Sequence, residues 1–373
     1  MSKPRVRILR DGLRQNGIEV IECRKDVWGD IQDKSQIKGA WRWLHLLTRI
    51  LVAYPALIVR YLRLPAHDWV LLGYPAIPDI FVIRLLAWCR RTPVALDWFL
   101  SAYDTVVLDR RLVGKRHPLA WCLWLAEAFA VRLADRVFMD TRTHATRMES
   151  LFRLAPGRCG SVWVGVEEQR FSAAPMGSLT RAANEPMHVL FYGQFIPLHG
   201  IPTIIEAARL LRGEPVEWLI IGRGQEHARV AAMLKAHPLP RLRMLDWVDY
   251  EDLLGYVNAA DICLGIFGTS DKAASVIPNK VFQVLAAGKP LITRDSPAIR
   301  EIVEDAPPAV TLVPAGSAAS LAAAIIQWQP QQVRYGATAT PVQPFTTSAI
   351  GRQLAELLAA TGTTPSGHQQ HDR

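Results

Sequence analysis

The second half of this chain repeats one unit: a short apolar run, a turn rich in glycine, and a stretch with helical spacing. The runs lie at 188–193, 216–221, 242–248, 262–267 and 309–313, and helical patterns follow at 200–212, after Gly222-Arg223-Gly224, at 250–257, after Pro278 and at 318–328. Strands that each hand over to a helix need crossover connections, so they build a parallel sheet buried on both faces. The first half repeats the alternation less regularly. A helix at 4–16 closed by Gly17 precedes strands at 18–23, 69–75, 93–97, 136–140 and 161–166, with helices at 79–91, 118–134 and 143–152.

Between the halves, SAAPMGSLTRAANEP at 172–186 has linker composition. The sequence therefore predicts an α/β chain of two parallel-sheet, Rossmann-like domains, 1–171 and 187–330, joined by the linker 172–186. An irregular segment and terminal helix occupy 331–360, and a disordered tail is expected at 361–373.

The stretch DICLGIFGTSDKAASVIPNKVFQVLAAGKPLIT at 261–293 concentrates the chemistry. Pro278 is placed to open a helix and Gly288 to close it, with a polar loop, 268–272, before it. A helix start stabilises anions, and Lys272 and Lys280 add full charges. Lys280, Gln283 and Ala287 share one helical face, which lets one ligand meet cation and amide together. The alternative is an amphipathic helix whose Lys and Gln are merely solvated. Glycines also end the neighbouring strands: Gly193, then Gly222 and Gly224, then Gly265 and Gly268. Each permits close approach of backbone N–H groups to an anion, with Arg223, His199, Lys272 and Lys280 as cations.

The segment Ile277-Pro278-Asn279-Lys280-Val281-Phe282-Gln283-Val284-Leu285-Ala286-Ala287-Gly288-Lys289-Pro290 resembles the donor-binding helix of the retaining GT-B glycosyltransferases of family 4. The resemblance implies a cleft between two domains, a nucleotide-sugar donor, and retention without a protein nucleophile. Donor-binding positions carried over are Gly193, Gln194, His199, Gly222, Arg223, Gly224, Gly268, Thr269, Lys272, Ser275, Ile277, Pro278, Asn279, Lys280 and Gln283. Lys280 is taken as catalytic, together with Asp97 and Asp104; Asp97, Tyr103 and Asp104 form the acceptor side. For these three, helix capping and loop hydrogen bonding are the competing reading.

The sequence departs from the family at several points. Gln194 and His199 stand where the family has Arg and Lys, and Ser275 and Gln283 replace its two glutamates. Lys272 and Lys280 would then substitute for the usual diphosphate clamp. The family's first strand is absent before Pro4, so either it is missing or the start codon lies upstream. These departures keep a second reading open: a degenerate GT-B protein that binds a nucleotide sugar or a partner without turnover.

Composition narrows the rest. Five cysteines, none in Cys-x-x-Cys, indicate neither a disulfide framework nor a zinc site and fit a reducing cytoplasm. No Asp-x-Asp, His-Glu-x-x-His or Walker A motif is present, so metal-independent transfer is expected, with no cofactor. The net charge of +9 favours phosphates, but no nucleic-acid recognition motif accompanies it. The apolar stretch 41–63, with Arg42, Arg49, Arg60 and Arg63, suits an anionic membrane surface, or alternatively a helix pair covering the first sheet. No run reaches the roughly 18 residues of a spanning helix. The chain reads as cytoplasmic, peripheral at the inner face of the membrane, acting on a glycan or lipid-linked acceptor in surface polysaccharide or glycoconjugate assembly.

Overall fold

The computed structural model describes residues 4–25, 40–171, 185–303, 309–328 and 343–360, with backbone alone at 40–47, 50 and 51. Residues 172–184 of the expected linker 172–186, residues 329–342, the expected tail 361–373, Met1 to Lys3 and the Arg42 side chain lie outside the described residues.

Two all-parallel sheets organise the chain. The first has the order β1-β2-β3-β4, from Val70–Leu72, Val94–Asp97, Arg136–Met139 and Cys159–Ser161. Helices α1 (Pro4–Gln15), α2 (Ala40–Leu62), α3 (Ile77–Cys89), α4 (Pro118–Leu133) and α5 (Arg142–Phe152) accompany it. The second sheet has the order β10-β9-β8-β5-β6-β7. Its strands are β5 (Met187–Tyr192), β6 (Val216–Ile221), β7 (Leu242–Leu245), β8 (Ile262–Leu264), β9 (Leu291–Arg294) and β10 (Val310–Val313). Around them lie α6 (Ile201–Leu210), α7 (His227–Ala236), α8 (Leu253–Ala259), α9 (Asp271–Ser275), α10 (Asn279–Ala286), α11 (Pro297–Arg300) and α12 (Ala318–Gln327). This is the two-sheet Rossmann-like architecture of the GT-B fold. One apolar core lies on each face of the second sheet: Phe191, Ile220 and Leu264 face α6 and α12, while Tyr192, Cys263 and Leu291 face α10.

The last helix, α13 (Thr347–Ala359), leaves the second sheet behind and packs along α1. Ile8, Leu9 and Leu13 meet Ile350, Leu354 and Leu358 over Phe138 and Val162. Each fully buried side chain of this size contributes about 1.5–3 kcal/mol. Gly12 and Gly351 set the approach: a Cβ on Gly12 would lie 2.3 Å from the Thr347 carbonyl oxygen.

Several local expectations are corrected. Residues 18–23 form no strand; the Arg14 guanidinium donates to the Val20 carbonyl at 3.1 Å and Arg10 to Glu22 at 3.2 Å, folding the segment back along α1. The first sheet's last strand stops at Ser161; Val162 N–H still donates to the Met139 carbonyl, and beyond it donors turn to the C-terminal segment. Trp163 N–H donates to Gln353 Oε1 at 2.9 Å and Val166 N–H to the Phe345 carbonyl at 3.0 Å. Residues 104–109 are a π-helical turn, and the polar loop 268–272 runs into the one-turn helix α9 capped by Ser270 Oγ. The stretch 41–63 forms one helix, α2, continuous through Pro55, rather than a pair.

Candidate functional site

In the second sheet the chain leaves β5 toward β6 on one side and returns to β8 on the other. Loops at the C-terminal ends of β5 and β8 therefore part, and open parallel sheets bind ligands in the crevice this leaves. Gly193 ends β5, Gly265 follows β8, and α10 delivers Lys280 between them. The Lys280 ammonium lies 3.4 Å from the Gly265 carbonyl oxygen and 3.7 Å from the centre of the Phe191 ring. It is 4% exposed, with no carboxylate paired to it among the described residues. Burial pushes its pKa well below the usual range.

His199 stands beside it. Gly193 has φ 144°, and a Cβ there would sit 3.0 Å from both the Lys280 ammonium and His199 Cε1, so only glycine leaves this space open. His199 Nδ1 hydrogen-bonds the Gln194 carbonyl. Burial first, and the Lys280 charge second, lower the pKa of the imidazole well below its ordinary value, which keeps it neutral. A buried cation with only a ring and a carbonyl for company is stabilised by an incoming anion.

Gln283, one turn along α10, is not open to a ligand as its position on the helix suggested. Tyr192 OH donates to its Oε1 at 3.0 Å, and its amide donates to Tyr250 OH at 3.3 Å. Two tyrosines that the sequence did not flag thus hold the amide, and Tyr250 also donates to Glu167 at 3.2 Å. The whole of α10 from Lys280 to Ala286 is buried, which removes the solvated-helix alternative. Ile277 is buried, and Pro278 with Asn279 opens α10 without a side-chain cap.

Most of the glycine N–H groups proposed to cradle an anion are already used. Those of Gly193, Gly222, Gly265 and Gly268 donate to the carbonyls of Ile221, Leu245, Ile292 and Leu198. These glycines give room rather than donors: a Cβ on Gly222 would lie 1.9 Å from the Gly193 carbonyl oxygen, and one on Gly224 would lie 2.6 Å from the Phe195 carbonyl oxygen. Arg223 is exposed and paired with Asp246 at 3.2 Å; Thr269 is exposed on the loop before α9.

Lys272 is separated from Lys280 and does not form a clamp with it. It points into the first domain, 3.5 Å from Asp104 Oδ2, and donates to Thr105 Oγ1. Burial lowers its pKa while Asp104 and Asp109 raise it. Ser275 follows the same seam, its carbonyl accepting from Thr141 Oγ1, and Ser270 donates to Asp109 at 2.7 Å. Glu301 accepts from the Thr143 backbone and hydroxyl at 2.8 and 2.7 Å. Arg110 reaches Gln194 Oε1 at 3.4 Å across the same cleft. A groove of about 750 Å³ lined by Arg142, Arg147, Ser150, Asp271, Ser275 and Glu301 opens on this seam, apart from Lys280.

The acceptor-side candidates are structurally engaged, through ion pairs and ring packing rather than through the helix capping of the competing reading. Asp97 ends β2 in a bidentate ion pair with Arg5, at 2.9–3.0 Å, which fixes α1 on the sheet. Asp104 is bound by Arg147 at 2.6 Å; although burial opposes it, that hydrogen bond and the Lys272 charge hold its carboxyl below the usual range. Tyr103 packs edge-on against Phe152. Beneath them Glu127, from α4, accepts from Ser101 Oγ and the Ala102 N–H, and burial pushes its pKa up to about 7.

Comparison with known proteins bears on the fold that carries this site. Residues 186–329 match the family profile described as Glycosyl transferases group 1. The chitobiosyldiphosphodolichol beta-mannosyltransferase of Eremothecium gossypii is 24% identical over 281 residues, covering 66% of this chain. The chain spans 58% of that relative's length. Sucrose-phosphate synthase from Thermosynechococcus elongatus superposes with a TM-score of 0.65 at 19% identity, over 88% of this chain and 82% of its own. Anabaena HepE, solved with UDP, superposes at 0.61 and 16% identity, over 87% and 90%. Residues 186–329 thus resemble a glycosyl transferases group 1 domain, and the chain has the GT-B fold of these solved structures.

Proposed function

We propose that the protein is a retaining glycosyltransferase that moves a sugar from a nucleotide-sugar donor to a glycan or lipid-linked acceptor, in surface polysaccharide or glycoconjugate assembly. The observation that carries this reading is Lys280: a buried amine, 4% exposed and without a carboxylate partner among the described residues, at the switch point of the second sheet. A donor diphosphate there would regain for Lys280 the stabilisation that burial removed. As the sugar departs, charge grows on the diphosphate, and a preorganised cation stabilises the transition state more than the ground state. In this reading the cation replaces a metal, and turnover continues in EDTA.

The neighbour solved with UDP supports a nucleotide ligand. The relative's name specifies a beta-linkage, so product stereochemistry is settled by measurement and not by analogy. The basic apolar helix α2, in which Val52, Val59 and Leu62 are exposed, supports a membrane-peripheral location within this reading, which we place on the cytoplasmic side.

The test is a thermal-shift panel of UDP, GDP, dTDP and ADP with their sugars. Saturation at 100 times the dissociation constant stabilises by about 2.7 kcal/mol. The responding donor is then offered to acceptors, and the product anomer is read by NMR. Transfer with retention supports the proposal. A donor that binds without transfer or hydrolysis leaves the degenerate binding protein in its place.

A further inference from the structure

The first domain carries an apolar surface that the described chain does not cover. On α3, Leu85 is 68% and Trp88 74% exposed; on α4, Trp121 is 62% and Phe129 61% exposed. Phe81, Leu85 and Trp88 fall at i, i+4 and i+7, one stripe of α3, and Trp121, Leu125 and Phe129 form its counterpart on α4. The two helices pack on each other. Helix α2 is tied to α3 by Tyr54 donating to Asp79 at 2.5 Å and by Arg90 donating to the Tyr61 carbonyl at 3.0 Å. Single exposed apolar residues are ordinary, but stripes on adjacent helices mark a contact surface.

Charge selects the partner. Among the described side chains from 48 to 133, the exposed cations are Arg60, Arg63, Arg91, Arg111, Lys115, Arg116 and Arg132, and the exposed carboxylate is Asp68 alone. The other carboxylates in this range are buried or half-buried; Asp79 accepts from Tyr54 and Glu127 from Ser101. A two-fold contact with a second copy would set these cations against themselves. A bilayer of anionic lipid satisfies both halves of the surface, with tryptophan and leucine in the acyl boundary and arginine at the headgroups.

We infer that the α3–α4 face is the principal membrane-docking surface, seated in the plane of an anionic bilayer beside α2, and that the acceptor is lipid-linked. The acceptor clause rests on the proposed transferase activity; the docking surface does not. No helix among the described residues is long and apolar enough to cross a membrane, consistent with an in-plane contact.

The full chain is floated with vesicles of phosphatidylcholine, alone or containing about one-third phosphatidylglycerol. Binding should require the anionic lipid and weaken as salt rises. Replacing Trp88→Ala and Phe129→Ala together should reduce vesicle partitioning by about tenfold or more. Both sites are solvent-facing, so melting temperature should hold; Leu85→Glu provides a second variant with the same expected loss. Lys280→Ala should float as the parent does, which separates failure of the donor site from failure of the face. Equal binding to neutral vesicles, parent-like binding by the surface variants, or a concentration-dependent dimer abolished by Leu85→Glu would each overturn the docking surface. Transfer to a soluble glycan but not to a lipid-linked acceptor would overturn the acceptor clause alone.

Discussion

Lys272, carried by the second domain, lies 3.5 Å from Asp104 of the first, with both side chains buried at 4% and 0% exposure. This ion pair crosses the cleft and shares Asp104 with Arg147. Removing one partner strands a buried charge, so Asp104→Ala should cost about 3–5 kcal/mol. Asp104→Ala combined with Lys272→Met should cost less than the sum of the single changes. Melting temperatures of the four proteins in this cycle test it; additive losses would mean that the two groups are independent. Because Asp104 has a depressed folded pKa, its contribution is complete above about pH 4 and is lost as pH falls through the folded value.

Lys280→Met should separate stability from binding. The amine is buried without a charged partner among the described residues, so an isosteric apolar chain should melt at a temperature equal to or above that of the parent. Donor binding should weaken at least about tenfold, or about 1.4 kcal/mol. A lower melting temperature together with unchanged donor affinity would remove Lys280 from the site. Its folded pKa lies below its unfolded one, so the unfolded chain binds the extra proton, and unliganded stability should rise with pH until the unfolded lysine titrates near about 10.4.

Glu127 predicts the opposite slope. Its carboxyl titrates near about 7 in the fold against about 4.3 unfolded, so the native state holds more protons in that window and stability falls as pH rises through it. Glu127→Gln should flatten the window and gain about 2–3 kcal/mol above pH 7. Denaturation midpoints of the parent and of Glu127→Gln at pH 5 and pH 8 decide the matter: the same change between the two pH values in both proteins would contradict the prediction.

Gln283 should behave as a structural amide. Gln283→Leu leaves the hydroxyls of Tyr192 and Tyr250 without it and should cost about 1–3 kcal/mol in stability. Urea titration of the Leu variant measures the effect.

The sequence by itself determined the alternation of strand and helix, because burial on both faces of a parallel sheet requires apolar runs separated by crossover helices. It also marked Lys280, since the Pro278-to-Gly288 frame fixes where a helix begins and which residue heads it. Neighbours distant in the chain remained hidden. Whether Gln283 meets a ligand or Tyr192 and Tyr250, whether Lys272 stands with Lys280 or with Asp104, and whether 162–166 pairs in a sheet or with Phe345 and Gln353 all depend on which segments meet in space. Tertiary structure decided these because a buried polar group takes the partner that folding brings within about 3 Å, and sequence spacing carries that information only within a single helix or strand.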